Sequence, residues 1–215
     1  MTFCNDIDLL HWEPNILKDA AFVSQTLISG SGDLAGTTFT IASGSFNAAH
    51  VTADGTIVLG GSILGTFPIL SVDGDTQLTI SVLYDGLYPS TGDATASPIT
   101  TASGVDYAIR TFWPQRRVMS ELLLQAAGLD PTDDAAETIL NPQSLKRACT
   151  LGTLHMIYSA LAAAAEDPKN LNARVALYET LYRRALRNAK VEIDSDADGR
   201  ADIVRPLNVL RLERV

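Results

Sequence analysis

The sequence is short of what most biochemical classes require. Its 215 residues include two cysteines, Cys4 and Cys149, too far apart along the chain to form a metal or redox motif. That usage argues against a disulfide framework and for a reducing compartment. Bases are nearly missing from the first half: residues 1–109 hold Lys18 alone against 11 acids, a net charge of −10. Such a segment repels nucleic acid rather than binding it; the plainer reading is that its acidity keeps a β-rich stretch soluble. Residues 110–215 carry 15 bases and 14 acids. The asymmetry suggests two regions with different partners. No run of 18 apolar residues occurs, so no membrane span is expected. "MTFCNDIDLLHWEP" has neither a basic n-region nor an apolar h-region, and no signal peptide is expected there.

Catalytic signatures are equally sparse. There is no G-x-x-x-x-G-K-[ST], no G-x-S-x-G and no H-E-x-x-H. Gly30, Gly32 and Gly36 are one residue too widely spaced for a dinucleotide loop, and they follow a segment read as helix rather than strand. His11, His50 and His155 fall in three separate segments. Arg116, Arg117, Arg183, Arg184 and Arg187 are the basic clusters, but they lack the interleaved aromatics that stack on bases. Surface ion pairs with Glu121 or Glu179 are the simpler expectation. The chain reads as a non-enzyme.

What the sequence does contain changes texture twice. Residues 6–28 read as one helix, with Pro14 in an early turn and Ile16, Leu17, Ala20, Val23 and Leu27 at helical spacing; the glycines of "SGSGDLAG" end it. From 37 to 112 the texture is β. "TTFTIA", "GTIVLGG", a hairpin across "GTFPILSVDGDTQLTISVL" and a closing strand over 105–112 predict a small barrel or sandwich, with Pro68 at an edge or bulge. From Pro114 onward helices return. One ends near Gly128, a second starts at Asn141–Pro142 with Asn141 as its N-cap, and a third starts at Asp167–Pro168. The expected fold is α+β: a helical bundle (1–35 and 113–190) with a small antiparallel β-barrel or sandwich (36–112) inserted after its first helix. A C-terminal β arm or hairpin (191–215) follows.

One motif carries chemistry. In "DSDADGRAD", Asp194, Asp196, Asp198 and Asp202 occupy positions 1, 3, 5 and 9 of a calcium loop, with Gly199 at the sharp bend and the Arg200 carbonyl at position 7. Alternate aspartates put several hard oxygen ligands on one side of a tight turn, so Ca2+ is the cofactor this pattern suggests. Position 12 is Arg205 rather than glutamate, and a β segment follows rather than a helix. A polar hairpin turn closed by Asx-turns is the alternative.

The proline-started helices ending in "LYETLYRRALRNAKVEIDSDADGRADIVRP" resemble the head–tail connector (adaptor) proteins of tailed bacteriophages and prophage-like elements. "HVTADGTIVLGGSILGTFPILSVDGDTQLTISVL" (50–83) is similar to small β-modules of phage head, neck and tail proteins. The resemblance implies a structural virion protein of the neck, made in the bacterial cytoplasm. It implies a homo-oligomeric ring, a dodecamer, between the portal protein and a tail or stopper protein. DNA would pass through without specific binding, and no membrane would be involved. It also implies that the C-terminal arm docks into the portal, with Val204, Leu207, Val209, Leu210, Leu212 and Val215 as apolar contacts. A tail-terminator or tail-completion protein, or a calcium-dependent binding module, are the alternatives.

Overall fold

A computed structural model describes residues 2–83, 95–131 and 138–207. The chain divides into two compact units, Asn5–Phe112 and Met1–Cys4 with Trp113–Val215.

The first unit opens with two short helices, α1 (Asp6–Trp12) and α2 (Ile16–Asp19). Asn5 and Asp8 form a reciprocal capping box that starts α1. Six strands follow: β1 (Thr26–Gly36), β2 (Thr38–Ile41), β3 (Thr56–Leu59), β4 (Gly65–Gly74), β5 (Gln77–Ile80) and β6 (Thr100–Arg110). They close into an antiparallel barrel in the order β1-β2-β5-β4-β3-β6, with β6 pairing back onto β1. Period-two alternation turns Leu34, Phe39, Ile41, Ile57, Leu59, Ile69, Leu78, Ile80, Val105, Tyr107 and Ile109 inward. Each such buried side chain stabilises the unit by about 1.5–3 kcal/mol before chain entropy is counted. Tyr107 receives Phe39 and Phe46 edge-on, at centroid distances of 5.1 and 6.3 Å. Register shifts in β1 and β4 supply the bends that closure demands.

The expected architecture, a helical bundle with a small barrel inserted after its first helix, is therefore corrected. The barrel is the body of its own unit, and residues 6–28 are not one helix. The chain leaves α1 at Glu13, re-enters helix for one turn, and becomes strand β1 at Thr26. Ile16, Leu17 and Ala20 of the predicted stripe are buried, but Val23 and Leu27 face solvent. Five residues fit a helical spacing that tertiary pairing overrides. The glycines read as a helix stop lie inside β1. A Cβ at Gly32 would sit 2.6 Å from both the Phe39 ring and the Thr40 carbonyl, so this strand crosses its neighbour where only glycine fits. Pro68 is not at an edge, because a closed barrel has none; it pairs with Thr56 beside the β4 irregularity, where a missing N–H is tolerated.

The second unit holds α3 (Trp113–Ala126), α4 (Gln143–Ala164) and α5 (Lys169–Asn188), then β7 (Lys190–Ile193) and β8 (Ile203–Pro206). Helix α4 is central, packing on both α3 and α5. Residues 148–154 of α4 are buried without a break, so its middle is covered all round. Gly152 makes room: a Cβ there would lie 2.5 Å from the Met119 sulphur and 2.9 Å from the Tyr182 ring. Tyr158 and Tyr178 stack at 5.4 Å, and Arg174 both covers the Tyr158 ring and donates to its hydroxyl. Gly128, at φ +73°, takes the left-handed conformation that ends α3. Arg117–Glu121 and Arg183–Glu179 are exposed i,i+4 ion pairs. No helix among the described residues is long and apolar enough to cross a membrane.

Candidate metal centre at the C-terminal hairpin

The antiparallel β7–β8 hairpin presents the aspartate loop on a fixed base. Val191 and Ile193 are buried, while Lys190 and Glu192 alternate outward. The free edge of β7 is then stitched to residues 138–141. Leu140 N–H donates to the Glu192 carbonyl at 2.9 Å, and Asp194 N–H donates to the Thr138 carbonyl at 2.8 Å. The Asn141 side chain imitates a further strand residue: it accepts from Glu192 N–H at 2.9 Å and donates to the Lys190 carbonyl at 3.1 Å. The expected N-cap role of Asn141 is thus replaced, and the residue at the N-cap of α4 is Pro142, which offers no side-chain bond. On the other strand, the Arg205 guanidinium donates to the Ala127 carbonyl at the end of α3, a favourable site for a cation. This explains why position 12 of the loop is not a carboxylate: its side chain is committed to a helix terminus.

Within the loop, Ala197 and Gly199 both adopt left-handed backbone, at φ +60° and +81°. The two bends fold the aspartates back on one another. Asp194, Asp196 and Asp202 each bring a carboxylate oxygen to within 4.8 Å of the others. Asp194 is only 6% exposed. One of its oxygens, Oδ2, accepts from Gly199 N–H at 2.8 Å; the other, Oδ1, is buried with no hydrogen-bond partner. Oδ2 of Asp202 accepts from both the hydroxyl and the backbone N–H of Ser195, and those bonds, the hydroxyl first, hold its carboxyl below the usual aspartate range. Asp196 and Asp202 are exposed, and no Lys or Arg among the described residues is paired with any of the three.

The residues picked from sequence divide accordingly. Asp194, Asp196 and Asp202 converge. Asp198 is outside that group and accepts from Arg200 N–H at 2.8 Å, an Asx-turn. Of the docking residues, Val204 is 58% exposed, whereas Leu207 is buried and its N–H donates to the Ala189 carbonyl. Val209, Leu210, Leu212 and Val215 lie outside the described residues. Ile203, 41% exposed beside Val204, is a surface residue that the sequence reading passed over. So is the meeting of Cys4 with Cys149: their sulphurs lie 2.6 Å apart in the core of the second unit, with Ser120 alongside. Arg116 donates to the Cys4 carbonyl at 2.9 Å. Bonding to the Cys4 sulphur holds the Cys149 thiol below its ordinary value, against the effect of burial. Two cysteines 145 residues apart give no local signal of such a contact.

No family model, no curated protein and no solved structure matches this chain.

Proposed function

We propose that this chain is a structural assembly protein of the head–tail connector kind, docking through its C-terminal hairpin and the residues beyond it. The observation that carries the reading is strand β8. It pairs only with β7 and its outer edge is open among the described residues, and it exposes Ile203 and Val204 on a firmly anchored base. An open edge with β-branched side chains is a template for strand addition by a partner. Exposed Val118 and Leu122, one turn apart on α3, supply a second apolar face for a neighbouring subunit of a ring. A contact repeated around a ring need not be strong per subunit. The net charge of −10 over residues 1–109 suits a protein that lets DNA pass without holding it.

The hairpin's anchoring dictates how the reading is tested. Removing residues 191–215 would strip Val191 and Ile193 from the core, so the informative deletion is 208–215, combined with Val204→Asp. The reading expects a portal-type protein to be encoded nearby, and its co-expression to give a complex with the intact chain. Both variants should lose it while keeping their helical circular dichroism and melting temperature. Undiminished assembly by both would sink the docking role, and metabolic genes alone around this one would sink the connector reading.

The size of the closed barrel favours a second reading, that of a tail-terminator or tail-completion protein in which β structure carries the function. In that case substitutions on the barrel exterior, rather than at Val204, would abolish assembly.

A further inference from the structure

We propose that the β7–β8 loop is a cation site of calcium type, in which Asp194, Asp196 and Asp202 are the side-chain ligands and Asp198 is not. Converging carboxylates alone would not carry this. The decisive group is Asp194: it is more than nine-tenths buried and contributes to the convergent set, yet its Oδ1 meets no donor. A buried carboxylate oxygen without a partner is costly, and native structures leave few of them. The groups that converge with Asp194 are two further carboxylates, Asp196 and Asp202, which are acceptors. A cation bound by the three carboxylates would relieve the mutual repulsion of the group, and bidentate contact at Asp194 would also answer Oδ1.

The chemistry of the donors selects the ion. Three carboxylates, with water completing the shell, form an all-oxygen site for a hard cation. Two of the three ligands lie on an exposed loop and the third is fixed at a strand end. That mixture tolerates the irregular, larger shell of Ca2+ better than the strict octahedron of Mg2+. A site with this few charged ligands, open to solvent, belongs to the weak class, with Kd on the order of 10⁻⁴–10⁻³ M. The ion would tie the start of the loop at Asp194 to its end at Asp202, and so fix the turn from which β8 departs. The inference does not depend on the connector reading, since it concerns the isolated chain.

The test is a titration of the full chain, stripped with a chelator, with CaCl2 and in parallel with MgCl2 at about 0.15 M ionic strength. Binding is read by calorimetry and by the shift of the Gly199 amide resonance. The expected result is one saturable Ca2+ per chain, a melting temperature raised by a few degrees, and weaker Mg2+ binding. Asp196→Asn, at an exposed position that leaves the fold intact, should weaken Ca2+ binding at least about tenfold, and Asp194→Asn at least as much. Asp198→Asn should stay within about twofold of the parent. No saturation and no resonance shift up to ~10 mM Ca2+, a concentration well above the weak-site range, would overturn the site. A loss in Asp198→Asn equal to that in Asp196→Asn would overturn the ligand set.

Discussion

The two units solve the same problem, a small core, in opposite ways. The barrel unit closes on itself. Every strand has two neighbours, and its inward side chains form one buried cluster with Phe46 and Val51 from the loops. The helical unit does not close. Its layer of α3, α4 and α5 buries the middle of α4 thoroughly but leaves α5 with Tyr178 and Ala185 as its buried residues, and its β8 pairs only with β7 among the described residues. A closed barrel has no strand edge to offer a partner, only its outer surface, where Val23 and Leu64 are exposed. The side of β8 that no described residue pairs is where the proposed docking would occur.

That contrast can be broken first at the barrel. Phe39 is fully buried, touches Tyr107 edge-on and fills the space that Gly32 leaves. Phe39→Ala should cost about 3–5 kcal/mol. In a urea titration it should lower the barrel's transition while the helical signal at 222 nm unfolds at its parental midpoint; a joint shift of both signals would mean that the units are energetically one. A smaller effect is expected at the hairpin base. Asn141→Ala removes two hydrogen bonds to β7 and should cost about 1–2 kcal/mol. Faster amide exchange at Glu192, with barrel amides unchanged, would check it. If Glu192 exchange is unaltered, the strand is held by Val191 and Ile193 packing alone.

The smallest effect is electrostatic, and each unit offers an instance among the described residues. Asp202 is held by Ser195, and Asp75 in the barrel by Asn47 and Ser45; both carboxyls titrate below their ordinary value for that reason. A depressed folded-state pKa contributes stability that is fully present above the unfolded value, about 3.9, and is lost as pH falls through the folded one. Acidification below about pH 4 should therefore loosen both loops. Ser195→Ala should remove the acid sensitivity of the Asp202 loop only, as followed by the pH dependence of its carboxyl resonance. Both groups are solvent-exposed, so the change in global stability should be slight.

Local signals were readable where local physics decides. Proline-marked starts gave α4 and α5, and Gly128 marked the end of α3, since these depend on a few backbone angles. Bounding glycines gave the strand at 56–59, and alternation gave those at 38–41 and 77–80. The alternating aspartates identified the loop, and three of them converge. Asp198 stands outside the three that converge and accepts from Arg200 N–H, a partner that its position in the motif does not reveal. The long helix expected over 6–28 failed for a related reason: helical spacing among Ile16, Leu17, Ala20, Val23 and Leu27 is a weak preference, and β1 gains a full ladder with β6 by leaving it.

The sequence by itself determined the starts of α4 and α5, the end of α3, the alternation of the strands and the density of acids in one short loop, because each is set within a few residues. Tertiary structure alone decided four things: that six strands close into a barrel, that Cys4 meets Cys149, that Asn141 serves a strand instead of a helix, and that Asp194 is buried with an oxygen unanswered. Each of these depends on which distant segments share space. Hydrogen bonding and burial are settled by that sharing, and no spacing along the chain encodes it.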